Sequence, residues 1–165
     1  MNKSALSDQK QLMTTPSELL EHWMGHRRLT RRVIEAFPEP EYSEFSIGGM
    51  RPFSKLVEEL LSIAGPGMRE IATGEQHSFT EGKDIAITKS AALGLWDKAS
   101  EKVAEYWAEL QPEDFQRRVK LFGQYEGTVL SSINYFIDNE IHHRGQGYVY
   151  LRALGIEPPF FWERD

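Results

Sequence analysis

The sequence contains no cysteine. The chain therefore cannot form a disulfide, bind a metal through sulfur or use a thiol nucleophile of its own, so any reactive thiol must come from a substrate. Long apolar runs are also missing, because no segment approaches the roughly 20 residues of a membrane span. The polar stretch 1–13 lacks the apolar core of a signal peptide. We expect a cytoplasmic protein without membrane contact.

Basic charge is in short supply. Lys and Arg number 19 against 25 Asp and Glu, and the formal net charge is −6. Nucleic-acid binding requires a clustered surplus of basic side chains, so we expect no nucleic-acid partner. One basic cluster, residues 26–32, is the local exception. We interpret it as a solvated helix face that pairs with nearby acids rather than as a docking patch.

The apolar content is sufficient for one hydrophobic core. The 165 residues are 40% hydrophobic and include four Trp and nine Phe. This length is typical of one domain, so we predict a single helical domain over residues 1–165. Within it, residues 1–14 are expected to form a flexible N-terminal segment.

The first half of the chain predicts two long helices. The first begins at the capping sequence Thr15-Pro16-Ser17-Glu18 and runs to about Ala36, where prolines follow. The second begins near Phe53 and closes at Thr73 and Gly74. Gly65-Pro66-Gly67 is expected to break or kink it.

The second half predicts two more helices, over residues 88–110 and 127–154. Residues 38–50 are expected to be extended or looped, residues 74–83, which include His77, to form an exposed loop, and residues 115–126 to form a connection without a paired strand. The aromatic tail at 158–162 is expected to pack back on the helices. Four amphipathic helices without a credible sheet predict an all-α four-helix bundle.

Polar side chains interrupt the apolar stripe of the last helix. Glu140 and Arg144 fall on inward positions, with Asn139 and His143 beside them. A buried polar group without a partner costs about 1 to 3 kcal/mol, so these groups must be satisfied. Two arrangements are open: an ion pair between Glu140 and Arg144, or a metal held by His143 and a residue one turn earlier.

Other polar and small residues carry weaker signals. His22 and His26 are spaced one helical turn apart, but the adjacent basic run disfavours a cation, so we interpret them as surface or interface histidines. Gly145 and Gly147 are expected to permit close helix packing.

The last helix resembles that of a known family. EIHHRGQ at residues 140–146, then YLRALG at 150–155 and the prolines at 158–159, is similar to the closing helix of the DinB/YfiT-like metalloenzymes. IGGMRPF at 47–53 resembles the approach to the second helix in one branch of that family. The resemblance covers nearly the whole chain and implies a four-helix bundle of DinB/YfiT-like type, often a homodimer. It also implies a divalent metal, Ni, Zn or Mn, held by three histidines.

Carried over by position, the three metal ligands fall on different residue types. The final histidine is His143, its partner one turn earlier is Asn139, and the ligand from the second helix is Glu59. An amide is a poor ligand, so the chain holds either a modified metal site or none. Glu140, Arg144 and His142 would position a substrate. His142 would reach the metal position only by a rotation of about 100° around the helix.

Two functions follow from the resemblance. The first is a metal-dependent transferase in which a divalent ion lowers the pKa of a low-molecular-weight thiol that attacks an electrophile. The second is a non-catalytic, stress-associated bundle with a degenerate metal site that binds a small ligand or a protein. A shared fold does not decide between them.

Overall fold

The computed structural model describes residues 13–76 and 88–165. Its elements are α1 (Pro16–Ala36), α2 (Glu39–Glu44), α3 (Phe53–Thr73), α4 (Lys89–Ala108), a 3-10 helix (Pro112–Gln116), β1 (Arg118–Leu121), β2 (Tyr125–Thr128) and α5 (Val129–Ala153). The four long helices form the predicted all-α bundle. The predictions for the N-terminal segment, up to residue 12, and for His77 lie outside the described residues.

Side-chain caps define where the long helices begin. The Thr15 hydroxyl accepts from the Glu18 N–H at 3.2 Å, and the Glu18 carboxylate accepts from the Thr15 N–H at 2.7 Å. These two bonds satisfy amides that have no partner inside the helix. Thr88 and Thr128 cap α4 and α5 in the same way through their hydroxyls. Gly74 ends α3 with φ 72°, a left-handed conformation that glycine adopts without strain.

In cross-section, the four long helices α1, α3, α4 and α5 lie at the corners of a square. α1 and α3 lie at opposite corners, and each packs against both α4 and α5. One core cluster joins the start of α1 and α5 to the end of α3 and α4, and a second joins the opposite ends. α1 and α5 therefore run in one direction and α3 and α4 in the other. No helix of the described residues is both long enough and apolar enough to cross a membrane.

The connections are more ordered than predicted. Residues 38–50 contain the short helix α2, whose Tyr42 ring lies 6.3 Å from that of Phe37 and 6.2 Å from that of Phe53. Residues 115–126 were predicted to lack a paired strand, but β1 pairs with β2 as an antiparallel hairpin. β2 could not be predicted as a strand because Glu126 and Gly127 interrupt the alternation of apolar and polar residues.

Of the predicted break or kink at residues 65–67, the break is not found, and α3 ends at Thr73 as predicted. Pro66 lies inside a helix that continues to Thr73, although proline removes one backbone hydrogen bond. The neighbouring glycine has a packing role, because a Cβ on Gly67 would lie 2.5 Å from the Phe136 ring of α5. Tertiary packing thus maintains the helix across a sequence that usually ends one.

The predicted close packing holds at one of the two glycines in α5. A Cβ on Gly147 would lie 2.5 Å from the Phe53 ring, so this position requires glycine. A Cβ on Gly145 would meet nothing within 4 Å. Gly145 faces outward, and the prediction was wrong there.

The polar end of the C-terminal tail packs back on α1. The Arg28 guanidinium donates to the Arg164 carbonyl at 2.8 Å, and Arg32 donates to the Glu163 carbonyl. The aromatic rings that were expected to cover the bundle remain exposed, with Trp162 62% exposed. The charged side chains of α1, rather than its apolar stripe, fix the tail.

Candidate functional site

A hydrogen-bonded pair, Glu59 and His143, joins the middle of α3 to α5. His143 Nε2 lies 2.9 Å from Glu59 Oε1, and the side chains are only 7% and 13% exposed, respectively. The second carboxylate oxygen of Glu59 accepts from Arg51 Nη2 at 2.6 Å. The antiparallel packing of α3 on α5 thus brings together two of the three residues predicted as metal ligands.

The surroundings of Glu59 keep it ionised. Burial alone would raise the pKa of its carboxyl, but the hydrogen bonds and charges of Arg51 and His143 outweigh burial and hold the pKa below its usual value. A carboxylate only accepts, so His143 donates its Nε2–H to Glu59. In the neutral ring, Nδ1 then carries the lone pair.

Asn139 lies one helical turn before His143 on the same side of α5. Its amide Nδ2 and the Nδ1 atom of His143 are both buried and without a hydrogen-bond partner. Asn139 lines a small cavity, too narrow for a water molecule, together with Leu60, the residue that follows Glu59. One buried donor and one buried acceptor are therefore left without a hydrogen-bond partner on this side of the pair.

The residues present do not fit a three-histidine metal centre. Glu59 and His143 are bonded to each other, and Arg51 already neutralises the carboxylate. The third position holds an amide, which divalent transition metals bind weakly. Within residues 13–76 and 88–165, no group of three His, Cys, Asp or Glu side chains lies close enough to hold a metal. Binding of Ni, Zn or Mn by Glu59, Asn139 and His143 stays a prediction.

A cavity of about 300 Å³ opens beside Glu59, between α3, the hairpin and α5. Its lining is mostly apolar and aromatic, with Ile63, Leu121, Phe122, Tyr125, Tyr135 and Phe136 among its residues. Phe122 has φ 52°, an unfavourable angle for a bulky residue. The Glu70 carboxylate accepts from the Phe122 N–H at 3.1 and 3.2 Å, and so holds this turn at the cavity.

A second polar cluster, the buried charge network, joins α5 to α1. The Glu140 carboxylate accepts from the Thr30 hydroxyl at 2.6 Å and lies 3.6 Å from Arg27 Nη1. Arg144 is 3.9 Å from Glu140 and donates instead to Thr30 and His26. The predicted burial of Glu140 and Arg144 is confirmed, but their partners lie mainly on α1.

The sequence interpretation missed the α1 side of this network. Arg27 was assigned to a solvated face, yet it is 2% exposed, donates to Ser100 at 2.7 Å and stacks on the Trp96 ring at 4.1 Å. His26, predicted at the surface or an interface, is 3% exposed. Their position beside Leu29 and Thr30 on the inward side of α1 was the available signal.

The proposed substrate-positioning residues do not line the cavity beside Glu59. Glu140 and Arg144 belong to the network with α1, although Glu140 also lines the small cavity beside Asn139. His142 is exposed, and its Nε2 lies 2.9 Å from Gln146 Nε2. Of the predicted site residues, Glu59 lines this cavity.

Comparison with known proteins gives one family. The model of the DinB family matches residues 1–164. The uncharacterized protein YjoA of Bacillus subtilis is 23% identical over 155 residues, which cover 92% of this chain and 99% of YjoA.

Solved structures share the fold. The crystal structure of the DinB-like protein YjoA has a TM-score of 0.69 at 23% identity and covers 88% of this chain and 99% of its own. A DinB-like protein from Bacillus cereus has a TM-score of 0.73 at 16% identity, covering 88% and 97%. A mycothiol-dependent maleylpyruvate isomerase mutant has a TM-score of 0.58 at 19% identity, covering 86% and 70%. The family match, extending over nearly the whole chain, identifies this protein as a member of the DinB family.

Proposed function

We propose that this protein binds a small, largely apolar ligand in the cavity beside Glu59, with the Glu59–His143 pair as the polar end of the site. One observation carries the proposal: Glu59 both lines the cavity and bonds to His143. Ligand sites commonly combine apolar walls with a few placed polar groups, and about 300 Å³ accommodates a ligand of roughly one substituted ring.

A second candidate is a thiol-dependent transferase or isomerase of this fold. His143 favours it, because a carboxylate orients Nε2 while the buried Nδ1 has no partner. His143 does not line the cavity, so this candidate requires a thiol that reaches past Glu59 to Nδ1. Nδ1 then takes the S–H proton, and Glu59 stabilises the resulting imidazolium. The chain has no thiol of its own, so the sulfur comes from a ligand. A mycothiol-dependent isomerase with this fold makes thiols the first ligands to test.

The binding test uses benzyl mercaptan and benzyl alcohol as probes, titrated by calorimetry under reducing conditions. The proposal expects saturable binding that Glu59→Gln weakens, because the amide no longer matches the bond to His143. Ser132→Phe should also weaken binding by filling the cavity. Glu58→Gln is the matched control, since Glu58 pairs with Lys55 and does not line the cavity. Equal affinity in the wild type and Ser132→Phe would contradict the proposal.

A separate test concerns the second candidate. In the wild type, the pKa of bound benzyl mercaptan, followed by thiolate absorbance, should be lower than that of the free thiol. In His143→Gln it should return to the value of the free thiol. Elemental analysis of protein purified without a metal-binding tag decides whether Ni, Zn or Mn accompanies the site. If the ligand binds but the thiol pKa is unshifted, the proposed binding function stands and the thiol-dependent transferase or isomerase is rejected.

A further inference from the structure

Arginines converge on one tyrosine between α1, α5 and the C-terminal tail. Tyr148 lies one turn after Arg144 on α5, and its charged neighbours are Arg32, Arg144, Arg152 and Arg164. The Tyr148 hydroxyl and the Arg32 Nε atom are buried without a hydrogen-bond partner. Two helices and the tail therefore present several donors to one place.

Positive charge exceeds negative charge at this place. Glu140, the buried carboxylate closest to Arg144, lies 3.9 Å away and is shared with Arg27 at 3.6 Å. On the solvent side, the Glu163 carboxylate is 3.9 Å from Arg32 Nη1. These long contacts leave much of the guanidinium charge uncompensated, which is unfavourable in a partly buried setting.

His26 faces more hydrogen-bond donors than its ring can accept. Its Nδ1 lies 2.9 Å from Arg144 Nη2, and its Nε2 lies 3.3 Å from Arg164 Nη1. A neutral imidazole has one acceptor nitrogen, and a guanidinium only donates. One of the two arginines therefore faces an N–H group and has a donor available for another acceptor.

We infer that this α1–α5–tail groove binds a small oxyanion, a phosphate or a carboxylate, between Arg32, Arg164 and the Tyr148 hydroxyl. Guanidinium groups bind both oxyanions through charge-assisted hydrogen bonds. The tail holds Arg164 in place, because Arg28 and Arg32 donate to the carbonyls of residues 164 and 163. The groove shares no residue with the cavity beside Glu59.

The test compares inorganic phosphate, acetate and chloride at matched ionic strength, with the full chain followed by calorimetry and by the Arg Nε–H resonances in NMR. Phosphate or acetate should bind saturably and shift the Arg32 Nε–H resonance. Arg164→Gln should weaken binding about tenfold, the loss of one charge-assisted hydrogen bond. Tyr148→Phe should weaken it about threefold, the loss of a neutral bond.

Arg118→Gln is the control, since Arg118 is an exposed arginine on β1. Preferential binding of phosphate assigns the groove to phosphorylated ligands, and preferential binding of acetate assigns it to carboxylates. The inference is overturned if neither anion binds more tightly than chloride. It is also overturned if Arg118→Gln weakens binding as much as Arg164→Gln does, because the effect would then reflect net charge alone.

Discussion

Replacing Arg27 with Met tests whether the buried charge network stabilises the fold. Arg27 is 2% exposed, and the change removes its bond to Ser100, its stacking on Trp96 and its charge near Glu140. Met retains most of the apolar volume, so the loss reports mainly on polar interactions. Glu140, 1% exposed, would keep Arg144 at 3.9 Å as its remaining ion-pair partner. Removing one partner of a buried ion pair costs about 3 to 5 kcal/mol, and because Arg144 still offsets part of the Glu140 charge, we expect a decrease at the lower end of this range.

The pH dependence of Arg27→Met provides an independent check. Burial raises the pKa of Glu140, while Arg27, Thr30 and Arg144 lower it, so removing Arg27 raises the pKa further. Above the unfolded-state pKa, the folded state then retains a proton that the unfolded state has lost, and stability falls as pH rises through the folded-state pKa. The penalty of Arg27→Met should therefore be larger at pH 7 than at pH 4.5.

Urea unfolding followed by circular dichroism measures both effects. Lys102→Met is the control. Lys102 forms an exposed pair with Glu105, so this change should leave the free energy of unfolding essentially unchanged. A loss below about 1 kcal/mol for Arg27→Met would refute the buried network, because that is the cost of an exposed pair.

Three further predictions concern packing, protonation and metal affinity. Gly147→Ala should destabilise by about 1 to 3 kcal/mol through contact with Phe53, whereas Gly145→Ala should stabilise by about 0.5 to 1 kcal/mol; opposite signs in urea unfolding are required. Burial and the Arg144 charge lower the pKa of His26 to about 3, so the unfolded state takes up a proton first and the free energy of unfolding should decrease as the pH falls from 6.5 to 3. The decrease should be less than about 1.4 kcal/mol per pH unit, and His26→Gln should flatten that slope. Glu59→His with Asn139→His should raise Zn or Ni affinity over wild type in a chelator competition assay, and an unchanged affinity would mean that these positions do not converge on a metal.

Much of the fold followed from local signals in the sequence. The cap at Thr15, the periodicity of α4 and the stop at Gly74 depend on residues close in sequence, so each could be predicted correctly. The continuity of α3 through Pro66 and the hairpin around Phe122 depend on contacts with α5 and Glu70, which no local pattern records.

The same division applies to the candidate site. The position of His143 on α5 and of Glu59 on α3 came from the motif, and their contact at 2.9 Å agrees with that register. The role of Arg51 as the second partner of Glu59 could not be predicted, because it lies before α3 begins. Arg27 was misassigned because a basic run usually marks an exposed face, whereas here one arginine of the run turns inward toward Glu140.

The protonation of the His143 ring tests the central claim most directly. Long-range ¹H–¹⁵N NMR distinguishes the two ring nitrogens, and for the neutral ring the account predicts a proton on Nε2 and a lone pair on Nδ1. Glu59→Gln should shift the Nε2 resonance, while Glu58→Gln should not. Either of two results would contradict a Glu59–His143 pair as the polar end of the site. One is a proton on Nδ1 in the neutral ring, and the other is an Nε2 resonance that does not shift in Glu59→Gln.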